Sequence, residues 1–425
     1  MIEEKFVIQG GNPLRGEIEV RGAKNAAFPV LAATLLTDEA CVIENIPLIE
    51  DVLKMIKIIE ALGAKVSWVG ERKIEINASD IKASKIPMEL IGKFRGSILL
   101  IGALLARFNT VKIPPPGGCV IGARPIGTHL DAFEQLGFKI SYEDRLYSFK
   151  RSKLPNDSQE VVLKEISVTA TLNILLFAAS NPKKTVIKIA DQDYQTQNLV
   201  SVLEKMGVEI KRGWAGRFEI SGKKKLKGFK CSIVSDPIET GTFVTAVLAT
   251  KGEVVIKEAA VEFLDLFLKR LKDFGAKIHV PDLKTIKILP SRNLVIDKIQ
   301  SLPYPGIHSD LQPELGVLAT QTKGATLIHD PLFEGRLKYL EHLNKMGADI
   351  IYCDPHRAVV YGPTPLQGIE MPSSDLRAGA AMIIAGLIAK GTTTINNVYQ
   401  IDRGYEKIEE RLQGLGADIK RRIKS

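Results

Sequence analysis

One short pattern recurs six times along this 425-residue chain, and it limits the possible folds more than any other feature. The copies are Leu62-Gly63-Ala64-Lys65-Val66, Leu136-Gly137-Phe138-Lys139-Ile140, Met206-Gly207-Val208-Glu209-Ile210, Phe274-Gly275-Ala276-Lys277-Ile278, Met346-Gly347-Ala348-Asp349-Ile350 and Leu415-Gly416-Ala417-Asp418-Ile419. Their glycines are 74, 70, 68, 72 and 69 residues apart. A steady period means one structural unit used again and again.

Ahead of each glycine runs a helical pattern. It is clearest at Val52, Met55, Ile56, Ile59 and Leu62, apolar residues at three- and four-residue spacing with Lys54, Lys57 and Glu60 between them. The glycine reads as a helix stop in the left-handed region, and the β-branched residues after it favour a strand. Upstream lies a second strand of one type, as in Cys41-Val42-Ile43, Thr185-Val186-Ile187 and Thr393-Thr394-Ile395. Before that comes an Ala- and Leu-rich stretch such as Ala26 to Leu36 or Ala378 to Ala389, apolar on nearly all sides. A helix without a polar face must be buried.

The expected fold is therefore α/β (α+β), with two similar domains of three repeated units, each enclosing buried helices within sheets. The sixth copy lacks the strand that should follow Ile419, and the N-terminus offers candidates in Glu4 to Gln9 and Gly16 to Val20. That grouping predicts one domain over residues 22–232 and a second from 1–21 plus 233–425, with a site in the cleft between them.

The apolar runs fall short of the roughly 18 to 20 residues that cross a bilayer. Met1 to Phe6 carries no leader pattern, so the expected compartment is the cytoplasm, with no membrane partner. Four dispersed cysteines and six unclustered histidines give no disulfide framework or zinc site. A formal charge of +9 suits anionic partners. A nucleic-acid binder would interleave basic and aromatic residues, yet only 6% of residues are aromatic, so no nucleic-acid partner is expected.

The second unit departs most from its siblings, with a strand-to-helix loop Pro114-Pro115-Pro116-Gly117-Gly118-Cys119-Val120-Ile121-Gly122-Ala123-Arg124-Pro125. Stiff prolines, permissive glycines and a thiol near an arginine suit a lid with a reactive cysteine. Cys41, Cys231 and Cys353 read as structural. Pro125 reads as the first turn of a helix whose start, with Arg124, would hold a phosphate. Equivalent loops carry Arg336 and Arg403.

A second group lies where the buried helices begin: Lys24-Asn25, Arg95, Ser167-Val168, Thr240, Asp310, and Asp375 with Arg377. Ser167, Thr240 and Asp375 read as caps. Lys24, Arg95 and Arg377 oppose the helix dipole, which points to bound phosphate or carboxylate. Asp310, among cations, is the candidate general base.

The run Gly117 to Pro125, with Arg21-Gly22-Ala23-Lys24-Asn25, Ile238-Glu239-Thr240-Gly241-Thr242, Asp375-Leu376-Arg377 and Ile401-Asp402-Arg403-Gly404-Tyr405-Glu406, closely resembles the UDP-N-acetylglucosamine 1-carboxyvinyltransferase family across essentially the whole chain. The resemblance implies the inside-out α/β barrel of the enolpyruvyl transferases. It also implies transfer of enolpyruvate from phosphoenolpyruvate to the 3′-hydroxyl of UDP-N-acetylglucosamine, the first committed step of peptidoglycan synthesis, without metal or organic cofactor. By the same likeness Cys119, Asp310, Lys24 and Arg403 are catalytic. Cys119 would be the general acid, the site of a phosphoenolpyruvate adduct and the target of fosfomycin, and Asp310 the base. Lys24, Asn25, Arg124, Arg377 and Arg403 would bind phosphoenolpyruvate. Arg95, Arg124, Pro125, Ile126, Gly127, Thr128, Ser167, Val168, Asp310 and Leu332 would bind the nucleotide sugar. Two departures stand out: Gly127-Thr128 where the family commonly has Asp-Leu, and Glu165 where it has a lysine beside the diphosphate.

Overall fold

The computed structural model describes residues 3–117, 125–152 and 159–423. The φ angle is 111° at Gly63, 85° at Gly137, 96° at Gly207, 98° at Gly275, 100° at Gly347 and 91° at Gly416, so all six repeat glycines are left-handed. Each donates its N–H to the carbonyl three residues back, from Gly63 to Glu60 through Gly416 to Gln413. In five units the next residue reaches five back, as Ala64 does to Ile59 and Ala417 to Leu412. This is the Schellman closure, which occupies carbonyls the helix end would leave bare and needs a residue without Cβ at the turn.

The chain separates into two compact units. One holds residues 22–117, 125–152 and 159–234, and the other 3–21 with 235–423. In the first unit the buried helices are Lys24–Ala33, Leu100–Arg107 and Val168–Ala179. In the second they are Pro237–Ala249, Gln312–Ala319 and Leu376–Ile388. Between the paired strands of each unit runs an amphipathic helix, such as Glu50–Leu62 or Tyr194–Lys205, burying one face.

Each unit carries three small sheets, and the described strands form no closed barrel. The recurring sheet has a parallel pair followed by an antiparallel hairpin. Lys298–Gln300 runs parallel to Gly324–His329, which pairs with Arg357–Gly362 and then Asp349–Asp354. Three sheets are completed by distant chain. Lys230–Ser232 lies parallel to Cys41–Glu44, and Arg15–Glu19 lies parallel to Glu253–Lys257. In the sixth repeat Glu4–Gln9 stands between Thr392–Asn396 and Asp418–Ile423, antiparallel to both, with Val7 opposite Thr394 and Lys420. The N-terminal strand thus fills the position the sixth repeat lacks. The sheet of Thr110–Ile113, Leu146–Arg151 and Phe138–Glu143 has three strands among the described residues.

Three local expectations are corrected. The helix after the cysteine loop is Gly127–Gln135, with Ile126 at its cap, so Pro125 precedes it; Ile126 carries φ −102°, ψ 14°, outside the helical region. Thr240 caps nothing: Asp236 accepts from the N–H groups of Ile238 and Glu239 because its carboxylate precedes the helix start, and Thr240 Oγ1 instead donates back to the Asp236 carbonyl. Cys41 and Cys231 are buried, but Cys353 is exposed on its edge strand.

Helices Leu100–Arg107 and Val168–Ala179 approach closely at Gly102. A Cβ there would stand 2.1 Å from the Asn173 carbonyl oxygen, while the Gly102 N–H donates to Asn173 Oδ1 at 2.7 Å. Gly102→Val is expected to lower stability by about 2–3 kcal/mol through overpacking, read as a fall in urea midpoint; an unchanged midpoint would contradict the close approach.

Candidate active site

In the second unit the candidate base is built at the start of the helix Gln312–Ala319. Asp310 sits in the preceding short turn Ser309–Leu311 and is clamped by two buried arginines. Arg336 Nη2 donates to Asp310 Oδ1 at 2.8 Å, and Arg377 Nε donates to Oδ2 at 3.0 Å. The Arg336 and Arg377 side chains are 3% and 4% exposed, so both charges are held out of water and their attraction to the carboxylate is little screened. Helix Leu376–Ile388 fixes Arg377, because its cap Asp375 accepts the N–H groups of Arg377 and Ala378. The Arg377 guanidinium lies 5.4 Å from the Tyr405 ring centre.

Arg336 also ties Asp310 to the Leu332 segment. Its Nε donates to Ser309 Oγ, which donates to Asp330 Oδ2 at 2.6 Å. Asp330 Oδ1 accepts the N–H groups of Leu332 and Phe333. Asp310, Arg377, Arg336 and Leu332 are therefore one connected group. Arg403 is buried after the turn Tyr399–Asp402 and donates from Nη1 to Gln400 Oε1 at 2.9 Å. The neighbouring Asp402 is held through both oxygens by Arg421, at 2.9 and 2.7 Å.

In the first unit Lys24 opens its helix without a side-chain cap and is 8% exposed. Its ammonium lies 3.6 Å from Asp51 Oδ2, in the first turn of Glu50–Leu62. Asn25 beside it is half-buried. Phe28 of the same helix packs on Phe94 with ring centres 5.5 Å apart, which fixes the turn beginning at Arg95. Arg95 Nη2 then reaches the Pro125 carbonyl at 3.3 Å. Beyond Pro125 and Ile126, Gly127 begins the helix in which Thr128 Oγ1 donates to Glu165 Oε1 at 2.8 Å, near Ser167 and Val168. Ser167 does cap its helix, accepting from the Ala170 N–H at 3.4 Å. The two departures, Thr128 and Glu165, are thus bonded to each other. Cys119 and Arg124 lie outside the described residues.

For Lys24 and Arg377 the cation at a helix start has its anion within the protein: Asp51 and Asp310 answer them. Neither position by itself calls for a bound phosphate. Sequence reading missed Asp51, which looks like an ordinary acidic residue of a helix's first turn yet is 3% exposed. It singled out Arg336 as a phosphate ligand and did not pair it with Asp310. It missed His129 altogether. That ring is wholly buried, with Nε2 2.9 Å from Thr169 Oγ1 and Nδ1 3.1 Å from Asn173 Nδ2. Asn173 Oδ1 already accepts from Gly102, so its amide nitrogen is the donor, Nδ1 of His129 accepts, and Nε2 carries the proton. Burial, helped by the charge of Arg95, lowers the His129 pKa to about 3.

Each unit thus holds buried cations against carboxylates, Lys24 with Asp51 in the first and Arg336 and Arg377 with Asp310 in the second. The pattern of the EPSP synthase (3-phosphoshikimate 1-carboxyvinyltransferase) family matches residues 8–412. The UDP-N-acetylglucosamine 1-carboxyvinyltransferase of Treponema denticola is 39% identical over 424 residues, 98% of each chain. That of Bradyrhizobium diazoefficiens is also 39% identical over 424 residues and 98% of each chain. The relative from Halothermothrix orenii is 38% identical over 98% of this chain and 99% of its own. Among solved structures, an enolpyruvyl transferase from Streptomyces tendae matches with TM-score 0.90 and 24% identity over the whole of both chains. EPSP synthase from Acinetobacter baumannii matches with TM-score 0.77 and 18% identity, covering 99% of this chain and 100% of its own. Those two likenesses bear on the fold.

The family pattern and these relatives define a transferase of the enolpyruvyl class. Within that class, the chain belongs to the UDP-N-acetylglucosamine 1-carboxyvinyltransferase family.

The depressed His129 pKa has a consequence for stability. The unfolded ring takes up a proton below about 6.5 while the folded ring resists it down to about 3, so the unfolded state binds more protons between these values. Stability should fall as pH drops through that window, and His129→Gln should reduce the slope measured by urea unfolding. An equal slope in both proteins would contradict the assignment.

Proposed function

We propose that the chain transfers the enolpyruvyl group of phosphoenolpyruvate to the 3′-hydroxyl of UDP-N-acetylglucosamine and releases phosphate. The observation that carries this reading is the 39% identity, over 98% of both chains, to a relative named for that activity. In this role it commits carbon to peptidoglycan, in the cytoplasm. Consistent with that setting, no helix among the described residues is long and apolar enough to cross a membrane.

The chemistry is addition followed by elimination. Asp310 takes the proton of the sugar hydroxyl, whose oxygen attacks C2 of phosphoenolpyruvate while Cys119 delivers a proton to C3. The resulting ketal then loses a proton from C3 and expels phosphate, restoring the double bond. The Asp310 clamp supports the first step: with both oxygens engaged by arginines, the carboxylate is fixed in orientation before substrate arrives. Lys24, Asn25, Arg124, Arg377 and Arg403 are assigned to the phosphate and carboxylate of phosphoenolpyruvate, as preorganised positive charge for the developing anion. Arg95, Arg124 to Thr128, Ser167, Val168, Asp310 and Leu332 are assigned to the nucleotide sugar. The contact from Arg95 to the Pro125 carbonyl supports grouping the first of these. The Thr128–Glu165 bond and the 2.8 Å pair of Lys164 with Asp131 leave the diphosphate end to backbone groups.

Phosphate release from phosphoenolpyruvate is expected with UDP-N-acetylglucosamine and not with shikimate-3-phosphate. Asp310→Asn should lower kcat by about a thousandfold or more while sugar-nucleotide binding, measured calorimetrically, changes little. Turnover with shikimate-3-phosphate alone, or undiminished turnover in Asp310→Asn, would overturn the reading.

A further inference from the structure

One buried ionisable group has no part in the steps above. Glu314, in helix Gln312–Ala319, is 0% exposed. Its Oε1 lies 3.2 Å from Thr242 Oγ1 and 3.3 Å from the Tyr405 hydroxyl oxygen, these two hydroxyls are 2.7 Å apart, and Thr242 Oγ1 also reaches the Ile238 carbonyl at 2.9 Å, so two hydroxyl protons serve the whole cluster. Thr242 comes from the fourth repeat, Glu314 from the fifth and Tyr405 from the sixth, so three repeats meet at one carboxyl. Glu314 Oε2 and Arg377 Nη1 are both buried without a hydrogen-bond partner among the described residues. An acceptor and a donor of opposite charge thus lie in the same buried cluster with hydrogen-bonding capacity to spare.

The charges that face Glu314 come from each element around it. Arg377 of helix Leu376–Ile388 attracts it, and Asp310 of its own preceding turn repels it. Tyr405 and Tyr339 are pushed upward by burial and stay neutral. Asp236, capping helix Pro237–Ala249, acts on Arg377 and Tyr405 and is itself raised by burial. Burial moves Glu314 to about 7 against the pull of Arg377.

We propose that Glu314 is a positioning residue for Asp310: Tyr405 joins them, its hydroxyl against the Glu314 carboxyl and its ring 5.4 Å from the Arg377 guanidinium that holds Asp310, so the charge of Glu314 acts through Arg377 on the base. This rests on the reading of Asp310 as acceptor of the hydroxyl proton. A carboxylate clamped by two arginines is a weak base. When the proton leaves the sugar oxygen for Asp310, Arg377 loses a full counter-charge, and an ionised Glu314 replaces it. With Glu314 neutral, more of the Arg377 charge falls on Asp310 and opposes the transfer. Turnover should then rise with pH as Glu314 ionises.

The test compares wild type with Glu314→Gln, which fixes the neutral state. The variant should lose about ten- to a hundredfold in kcat above neutral pH, keep its KM for UDP-N-acetylglucosamine, and lack the rise near pH 7. Glu314→Asp should recover part of that rise. Wild-type kcat in Glu314→Gln, or an equal loss at every pH with the rise retained, would overturn the proposal. Should Glu314→Gln fail to fold, Tyr405→Phe removes a donor to the carboxylate and should move the rise to higher pH; an unmoved rise would also overturn it. The coupling has a readout without turnover. The Glu314 carboxyl, followed by infrared titration of the substrate-free protein, should ionise about one pH unit lower in Asp310→Asn, where Arg377 is released to it. An unchanged midpoint rejects the coupling, whereas turnover surviving in Asp310→Asn rejects the role of Asp310 itself.

Discussion

A charge withdrawn from water must meet an opposite charge, and the organisation of this chain's site follows from that need. Arg336 and Arg377 are almost wholly buried, and Asp310 answers both. Lys24 is buried at the start of another core helix, and Asp51 answers it. Removing either partner would strand a charge where solvation is poor, at a cost that typically exceeds what the intact pair contributes. The arrangement therefore contributes orientation more than stability. A carboxylate gripped through both oxygens has few rotamers left, and the guanidinium that grips it is itself fixed by a capped helix and an aromatic face.

The repeated unit makes such burial possible. Helices that are apolar all round can persist only inside a ring of other elements, and each unit supplies three sheets to provide one. Their first residues carry cations and carboxylates, while their remaining lengths pack tightly enough that glycine is required, as where Gly102 meets the backbone of Asn173. The Schellman closures matter for the same reason. They turn each amphipathic helix sharply into its strand and occupy carbonyls the helix end would otherwise leave bare.

What was legible in the sequence was local. The helix stops at Gly63 and its five equivalents depend on a few consecutive residues, so the pattern declares them. The strand Glu4–Gln9 was legible because its absence from the sixth copy was visible against the other five. Partners far apart in sequence were not legible. Asp51 lies 27 residues from Lys24, Arg336 lies 26 from Asp310, and Tyr405 lies 91 from Glu314. Nothing in the local pattern of Asp51 or Glu314 separates a buried carboxyl from a solvated one. Arg377 was read as awaiting an anionic ligand because its neighbours along the chain could not reveal that Asp310 already stood against it. The cap of the fourth core helix was misassigned for a related reason: Asp236 and Thr240 are both good capping types, and only backbone direction decides between them.

The proposed chemistry asks the site to do two opposed things at one carbon, to give it a proton and then take one away, while phosphate stays bound until it leaves. That sequence of events distinguishes addition and elimination from direct displacement of phosphate. Turnover of phosphoenolpyruvate with UDP-N-acetylglucosamine in D2O, followed by mass and NMR analysis of the product, observes it directly. The account predicts deuterium at the vinyl carbon of the transferred group. A product formed in full with no deuterium at that carbon would contradict it.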